Sequence, residues 1–495
     1  MWKNRFVWIC LILVLAGLAL LAYQGVYNRY WADDWCYDAS VLHRGLVGAV
    51  QGYFDTATYA TNRVSLTLFS GFLAPLWVPG VELLPLAVIL LWLGGLYWNL
   101  RLLARLFQPA LAPQSKAGLD RKTSLLGAAV LLTFILWLAP NQFQILMWRT
   151  GLLTYTAPLL GLTWLAGRFV LQALEPARGW RGTAIAGLLS FIIGGFSEVG
   201  CALLLSSLAL GLALVLAFRR RLAKSVRRAL VPMLAAALVA GLAAMVVLVL
   251  SPMNTPRRLI SYAAPMPLAE LPFMALKFGY LYIRAFLSLN RWAVLALGAG
   301  GVIFGLFAAQ NGISLRRLAA GLLLTGGMVF LLIAAINVPA AYIENAEISE
   351  SRALLVPTTV MLAGVAAAAW QVGSALRRWR PAWALRPAPA LAPLSRAGLV
   401  LVLALAALAP TAYAVSKYPA ALAPIALFQK RAQVWDERDA AIRAAFAAGQ
   451  SSVDVRQIDS YASILEFYPQ PNWVNNCAAS FYGMSEIRAT LPWNQ

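Results

Sequence analysis

The sequence predicts an all-α polytopic membrane protein, and three observations lead to that class. Hydrophobic residues make up 61% of the 495-residue chain, charged residues make up only 12%, and the mean hydropathy is +0.71. Soluble domains carry about 25% charged residues. Apolar runs long enough to cross a bilayer recur along the chain, and basic residues cluster between them. This composition excludes an ordinary soluble globular domain.

The first predicted span covers residues 6–23 and follows Lys3 and Arg5. A signal peptide has a similar charge layout, but this run has membrane length and no A-x-A site follows it, so we interpret it as an uncleaved span. The further spans are expected near residues 123–139, 156–173, 183–197, 199–218, 229–250, 292–310, 318–336, 353–373 and 397–416.

Residues 64–100 are long enough for two helices, but prolines at 79 and 85 interrupt the run. These residues must cross the membrane an odd number of times if the basic residues that follow, 101–122, are to be cytoplasmic. We expect one full crossing and one partial or interfacial helix. The total is then about 11 spans, within a range of roughly 11 to 13.

The basic residues set the predicted orientation. They cluster at 101–122, 219–228, 316–317 and 377–386, and all four clusters are cytoplasmic if the N-terminus is cytoplasmic. The inner side then carries the whole net charge of +21, and the outer side is neutral. Anionic lipid headgroups suffice as partners for this charge, so it does not indicate nucleic acid. The expected location is the plasma (inner) membrane.

The outer side holds most of the polar sequence. A transmembrane module, 1–416, contains a long first external loop, 24–63, in which we expect interfacial helices. Residues 417–495 are expected to form a small external α/β cap, with an amphipathic helix in WDERDAAIRAAF, a short strand in SSVDVRQID and a turn in FYPQPNWVNN. Another external loop is expected over 251–291.

Two of the four cysteines, Cys36 and Cys477, fall on the predicted outer side, where a disulfide persists. Sequence spacing does not report their separation in space. A disulfide and a pair of free thiols both remain open.

Two adjacent carboxylates stand where the first span ends, in WADDWCYD at 31–38. Aspartate is a good helix N-cap, which would explain one of the two. Neighbouring carboxylates repel unless a cation or a proton compensates, so one can be tuned as a general base. We therefore predict Asp33 and Asp34 as the catalytic pair, with Asp33 as the base and Asp34 as its partner.

Several basic side chains lie near predicted outer helix ends, where the positive-inside tendency disfavours them. Each taken alone can be explained by contact with headgroups. Converging arginines also bind phosphate. The predicted donor-phosphate residues are Arg63, Arg149, Arg257, Arg258, Lys277 and Arg352.

Sugars bind by stacking on aromatic rings and by hydrogen bonds to polar side chains. An interfacial aromatic belt is the alternative explanation for many of the tryptophans. An acid near a span end is costly and indicates a role. The predicted sugar or acceptor residues are Trp148, Tyr155, Glu198, Asn254, Asn475 and Asn476.

The chain contains a single histidine, His43, which we interpret as an ordinary loop residue. A histidine-based metal site is excluded. A divalent cation such as Mg²⁺, Mn²⁺ or Ca²⁺ would have to be held by carboxylates and water.

Short motifs along the whole chain, taken in order, resemble the GT-C class of integral-membrane glycosyltransferases. More narrowly, they are similar to bacterial GtrII-type glucosyltransferases and their uncharacterised relatives. The matching pieces are ADDWCYD at 32–38, GYFDTATYATNRVS at 52–65, MWRTGLLTYTAP at 147–158, GGFSEVG at 194–200, SESRALLVP at 349–357 and NWVNNCAASFYG at 472–483.

The resemblance implies a sugar transfer from a polyprenyl-phosphate donor to a cell-surface glycan or lipid-linked saccharide on the external face. Asp33 or Asp34 would deprotonate the acceptor, the arginines would stabilise the leaving phosphate, and the anomeric carbon would invert. This sequence departs from the expected pattern in two places. ATNRVS keeps only the arginine of a W-x-G-R element, and Thr154 stands where an asparagine is expected. Both departures leave the sugar open.

Three other functions compete with glycosyl transfer. An outer-leaflet polysaccharide polymerase or ligase would share the cationic mouth but would concentrate its motif in a late loop. A lipid or saccharide transporter would need ionisable groups near the middle of the bilayer. A membrane scaffold would need neither feature.

Overall fold

The computed structural model describes residues 2–54, 61–106, 120–176, 180–255, 265–308, 312–344, 351–379 and 393–492. Helices dominate these residues. In chain order they are α1 (Trp2–Gln24), α2 (Asp33–Gln51), α3 (Val64–Leu73), α4 (Trp77–Leu106), α5 (Arg121–Leu138), α6 (Gln142–Leu146), α7 (Arg149–Gly151), α8 (Ala157–Leu174), α9 (Trp180–Gly194), α10 (Glu198–Ala217), α11 (Lys224–Val249), α12 (Leu271–Leu289), α13 (Arg291–Ala308), α14 (Leu315–Glu344), α15 (Leu355–Trp379), α16 (Pro393–Val415), α17 (Tyr418–Leu422), α18 (Ile425–Ala447) and α19 (Trp473–Tyr482).

The predicted all-α membrane class is confirmed at this level. Within the described ranges, nine helical segments are long and apolar enough to cross a membrane, or up to ten if the bent pair α12–α13 counts as one span. The helix α9, a shorter apolar helix, lies outside that count. The nine segments are Arg5–Tyr27, Val64–Leu106, Arg121–Leu138, Arg149–Leu174, Glu198–Ala217, Lys224–Val249, Leu315–Ile343, Leu355–Arg378 and Leu401–Ala447.

Residues 64–100 contain two helices, but the break lies upstream of the predicted prolines. A short 3₁₀ turn, Ala74–Leu76, separates α3 from α4, and Trp77 has φ +51°. Pro79 falls in the first turn of α4, where no intrahelical partner is needed for a backbone N–H, so proline is tolerated there. Pro85 is contained within α4 without ending it.

The prediction that residues 251–291 form an external loop is wrong for the second half of this range, where α12 lies. This helix meets α13 at a bend of 85°. Lys277 and Arg284 lower the hydropathy of the segment, so the sequence alone did not predict a helix there. Its own buried face packs against α14.

The chain beyond α16 forms a small α/β unit, which we call the cap (residues 417–492). The helices α17 and α18 precede the strand β1 (Ser452–Arg456), and α19 connects β1 to the strand β2 (Glu486–Leu491). The two strands pair in parallel, with Ser452 opposite Glu486. The segment NWVNN, predicted as a turn, instead begins α19, because Asn472 and Asn475 form a reciprocal capping box.

The cap packs on α2, on the residues just before it and on the start of α4 through an aromatic cluster. The rings of Trp35 and Trp435 stack with centroids 5.6 Å apart, and those of Trp77 and Phe481 stack at 4.7 Å. Buried aromatic pairs of this kind contribute about 0.5–1.5 kcal/mol beyond their buried area. The first loop and the cap therefore share one core.

Polar contacts fix the same interface. The Arg29 guanidinium donates to both carboxylate oxygens of Asp436, at 2.6 and 2.8 Å, and to Glu82 at 2.6 Å. Nε2 of His43 lies 2.7 Å from the carbonyl oxygen of Ser480. Inside the cap, the buried Glu466 carboxylate accepts hydrogen bonds from Arg431 and Arg438. One ion pair, Arg29 with Asp436, and one hydrogen bond to a backbone carbonyl therefore join the cap to the first loop.

Cys36 in α2 and Cys477 in α19 form a disulfide, with their Cα atoms 4.7 Å apart. The sequence left open whether these cysteines form a disulfide or stay free thiols, and in the structure they form the disulfide. The disulfide joins the first loop to the cap across 441 residues of chain.

This cross-link predicts how a cleaved chain behaves. A protease site inserted between Gly449 and Gln450, at the exposed turn after α18, should yield a C-terminal fragment that stays attached until a reductant is added. The measurement is gel electrophoresis with and without reductant, with the same insertion in a Cys36→Ser protein as the control. Release of the fragment from the Cys36-containing protein before reduction would contradict the cross-link.

Candidate active site

The Asp34 side chain is fully buried and held from several sides. Its Oδ1 accepts hydrogen bonds from the Thr150 hydroxyl at 2.8 Å and the Thr150 backbone N–H at 3.3 Å. Its Oδ2 accepts from the Trp31 backbone N–H at 3.2 Å. Nε of Arg149 lies 3.5 Å from Oδ1. Asp34 therefore acts as a fixed structural anchor at the start of α2.

Arg149 is held between two carboxylates. It donates to Oδ1 and Oδ2 of Asp38 at 2.8 and 3.1 Å, and to the backbone oxygen of Asp34 at 2.9 Å. The Tyr30 hydroxyl also donates to Asp38, and the Tyr30 ring lies 5.0 Å from the Arg149 guanidinium carbon. Arg149 is only 1% exposed. The structure thus removes Arg149 from the predicted phosphate-binding set, because two buried acids already neutralise it.

Burial is the main influence on the titration of Asp34. It raises the pKa of this carboxyl to about 6, and the Arg149 charge and the Thr150 hydroxyl offset part of the rise. Burial likewise raises the pKa of the Tyr30 hydroxyl; the Arg149 charge opposes the rise and the Asp38 carboxylate adds to it. The charged form of Asp34 is consequently less favourable in the folded protein than in the unfolded chain.

Asp33 differs from its neighbour, because its side chain is only half-buried. It is the first residue of α2, where the helix dipole favours a carboxylate. The preceding Ala32 has φ +37°, a backbone angle that residues other than glycine rarely adopt. This backbone conformation costs about 1–3 kcal/mol. The anchored Asp34 and this unusual backbone together fix the direction in which Asp33 projects.

A second group of side chains collects around Arg352. Its guanidinium carbon lies 5.2 Å from the ring centroid of Trp148 and 6.0 Å from that of Tyr155. Its Nη1 also donates to Oε1 of Gln144 at 3.4 Å, and Nε2 of Gln144 donates to the backbone oxygen of Ala462 in the cap at 2.6 Å. Three of the predicted residues are therefore brought together, and the cap contributes to their placement.

The local chain explains why these aromatic side chains meet. Residues Leu152–Thr156 form a π-helical turn between α7 and α8, a feature frequent at functional sites. Gly151 precedes it, and a Cβ there would lie 2.2 Å from the backbone oxygen of Gln144. Only glycine permits this close approach of α6 to the π turn.

A third group links the first loop to α10. Glu198 accepts hydrogen bonds from Arg63 at 3.1 and 3.3 Å and from Asn62 at 2.5 Å, and Asn62 also donates to Asn254 at 3.2 Å. Close packing supports this contact, since a Cβ on Gly195 would lie 2.3 Å from the Ser65 hydroxyl oxygen. Glu198 and Arg63 are thus an ion pair, with side chains 20% and 23% exposed.

The two asparagines predicted to bind sugar have different surroundings. Asn475 is 1% exposed, and its amide bonds the backbone of Tyr468, Asn472 and Ile487. All of its hydrogen-bonding capacity serves the cap, so the structure gives it a structural role in place of the predicted one. Asn476 is exposed on α19.

The remaining predicted phosphate residues do not join these groups. Lys277 lies on the exposed face of α12 and makes no hydrogen bond or ion pair with the three groups within the described chain. Arg257 and Arg258 lie outside the described residues. Among the residues that are described, no set of three or more His, Cys, Asp or Glu side chains is placed to hold a metal ion.

Sequence reasoning missed Asp38, Asn62 and Gln144. The signal for Asp38 was present, because Asp34 and Asp38 are four residues apart and share one face of a helix. No sequence signal marks Gln144, whose role depends on contacts with Ala462 and Arg352, which are remote in the chain.

The chain matches no protein-family model and no curated protein.

The buried position of Arg149 predicts a large loss of stability for Arg149→Met. The substitution leaves Asp34 and Asp38 buried without their cation, which should cost about 3–5 kcal/mol. The matched control is Arg105→Met, which removes an arginine from an exposed ion pair with Glu175 and should cost at most about 1 kcal/mol. Thermal unfolding of both proteins in detergent measures this, and equal stability losses would contradict the anchoring role.

The raised pKa of Asp34 predicts a pH dependence of stability. The folded protein holds this proton up to about pH 6, whereas the unfolded chain releases it near 3.8. The stabilising contribution is therefore complete below the unfolded value and is lost as the pH rises through about 6. The full difference is on the order of 2–3 kcal/mol.

Melting temperatures of the wild-type and Asp34→Asn proteins at several pH values between 8 and 5 measure this dependence. The wild-type protein should gain stability relative to the variant as the pH falls, because groups common to both proteins cancel. A constant difference over this range would mean that Asp34 titrates alike in the folded and unfolded chain.

Proposed function

We propose that this protein is a membrane glycosyltransferase that uses a polyprenyl-phosphate-linked sugar as donor. The observation that carries the proposal is the contrast within the acidic pair. Asp34 is fully buried and held by Thr150 and Arg149, while the adjacent Asp33 is half-buried at the first position of α2. A rigid anchor next to a more accessible carboxylate suits a general base.

The proposed chemistry needs one base. The Asp33 carboxylate takes the proton of an acceptor hydroxyl as that oxygen attacks the anomeric carbon. The bond from this carbon to the phosphate oxygen breaks, and the electron pair leaves with the lipid phosphate. The leaving group is already ionised, so no general acid is required. A single displacement inverts the anomeric carbon.

The group around Arg352 supports donor binding. A half-buried guanidinium against the faces of Trp148 and Tyr155 presents positive charge beside flat apolar rings, which suits a phosphate next to a sugar. The indole N–H of Trp148 is buried and has no hydrogen-bond partner among the described residues. A donor of this kind costs about 1–3 kcal/mol when left unsatisfied, and a ligand oxygen would satisfy it.

The Arg63–Glu198 pair, with Asn62 and Asn254, is proposed to bind sugar or acceptor hydroxyls. Its arginine is already paired with the Glu198 carboxylate, which disfavours it as a ligand of the donor phosphate. A divalent cation held by carboxylates stays a prediction, as do the sugar and the acceptor.

The distribution of buried charge favours transfer over transport. Among the described residues, the buried ionic side chains lie in α2, in the cap or at Arg149, the first residue of its candidate span. Arg431 and Arg438 of the cap fall within the candidate segment Leu401–Ala447, but in α18, beyond the end of α16 at Val415. A transporter would be expected to hold such groups near the middle of its spans.

We further propose that the N-terminus is cytoplasmic and that the cap lies on the external face of the plasma membrane. The inner-side excess of basic residues supports this orientation. The disulfide between Cys36 and Cys477 also supports it, because such bonds persist in oxidising compartments.

The proposal predicts that Asp33→Asn abolishes most turnover without unfolding the protein. Asparagine keeps the shape but cannot accept the proton, so the rate of sugar transfer should fall by about 10²- to 10⁴-fold. The assay follows release of polyprenyl phosphate from purified protein in detergent. Asp459→Asn, the same chemical change at an exposed cap position, is the matched control.

Melting temperatures decide how the result is interpreted. An Asp33→Asn protein that melts like the wild type and transfers sugar at the wild-type rate would refute the role of Asp33 as the base. In that case Glu198 is the next carboxylate to test.

A further inference from the structure

The exposed face of α12 carries two cations and two large aromatic side chains. Lys277 and Arg284 are seven residues apart, close to two helical turns, so they share one face. Phe273 and Tyr280 lie on the same face and are 70% and 56% exposed. Helix α12 contains no acidic residue, and the nearest acid in the sequence is its N-cap, Glu270, seven residues before Lys277.

The opposite face of α12 is packed against the helix bundle. Gly279 lies against Ala334 of α14, since a Cβ at Gly279 would be 3.1 Å from the Ala334 Cα. The hydroxyls of Tyr282 and Thr358 are 2.8 Å apart. One face is therefore anchored, and the cationic face points away from the bundle.

The position of α12 is near one end of the bundle. The Met266 backbone N–H, just before the helix, donates to the backbone oxygen of Tyr342, two residues from the end of α14. Thr358 lies in the first turn of α15. The helix then meets α13 at 85°, where Arg291 lies with its guanidinium carbon 5.6 Å from the Trp292 ring, and Trp292 is 69% exposed.

We propose that α12 lies along the membrane interface and that its exposed face binds the headgroups of anionic phospholipids. A helix in that plane places apolar and aromatic groups at the acyl boundary and cations at the headgroup phosphates. Lys277, Arg284 and Arg291 supply the charge, and Phe273, Tyr280 and Trp292 supply the aromatic rings. The sharp bend into α13 is what such a helix requires to join a span.

This surface is separate from the proposed transferase site and gives Lys277 a different role from the donor-phosphate one. The proposal depends on charge complementarity with the bilayer and holds whether or not the protein transfers sugar.

The test uses Trp292 as a local reporter. The protein is reconstituted in nanodiscs that contain phosphatidylcholine with a small fraction of brominated phosphatidylglycerol, or with brominated phosphatidylcholine at the same fraction. Bromine quenches nearby tryptophan, and subtraction of a Trp292→Phe protein isolates the signal of this residue. Trp292 should be quenched several-fold more by the anionic lipid, because each cation near an anionic surface contributes about fivefold to binding.

Two variants separate charge from structure. The triple Gln variant at Lys277, Arg284 and Arg291 should lose the preference for phosphatidylglycerol. The charge-preserving triple variant, Lys277→Arg with Arg284→Lys and Arg291→Lys, should keep it. Raising the salt from 0.1 to 1 M should also weaken the preference in the wild-type protein, which provides a test that needs no variant.

Three results would overturn the proposal. The first is equal quenching of Trp292 by the two brominated lipids in the wild-type protein. The second is an undiminished preference in the triple Gln variant. The third is displacement of the phosphatidylglycerol signal by a small, equal fraction of polyprenyl phosphate, which would assign the face to the sugar donor.

Discussion

The interaction on which the site depends is the buried bridge from Arg149 to Asp34 and Asp38. It ties the start of α2 to the segment that leads into α8, at a point where no solvent screens the charges. Removing water from three ionic groups is costly, and the bridge persists because each carboxylate has a cation and hydrogen-bond donors around it. This arrangement also fixes the direction in which the Asp33 side chain points, since the adjacent Asp34 cannot move independently of Arg149.

The cap extends the same rigidity to the first loop. Trp435 and Phe481 fill the space against Trp35 and Trp77, and the disulfide from Cys36 to Cys477 limits how far the two parts separate. Through Ala462 the cap also holds Gln144, which in turn contacts Arg352. The proposed base and the proposed donor-binding arginine are therefore positioned by one continuous packed unit, and substitutions in the cap should be able to alter both.

Much of this architecture was predictable because hydropathy and charge report directly on membrane crossing. The membrane class and most candidate spans follow from runs such as 6–23, and the acidic pair stands out because acids are rare in this chain. The contacts of individual polar residues could not be predicted in the same way. Arg149 is paired with carboxylates from a remote segment, Asn475 bonds neighbouring cap residues, and Lys277 and Arg284 lowered the hydropathy of α12. Sequence shows that a polar residue lies near a span end, but only packing decides whether it faces a ligand or another side chain.

The proposed activity is transfer of a sugar from a lipid phosphate to an acceptor. The most direct measurement incubates purified wild-type protein in detergent with radiolabelled polyprenyl-phosphate hexoses and extracts of cell-surface glycan. Label should move into the glycan with inverted anomeric configuration while polyprenyl phosphate is released in equal amount. Protein that melts cooperatively yet leaves every such donor intact, or that moves the lipid across a bilayer without breaking its sugar–phosphate bond, would contradict it.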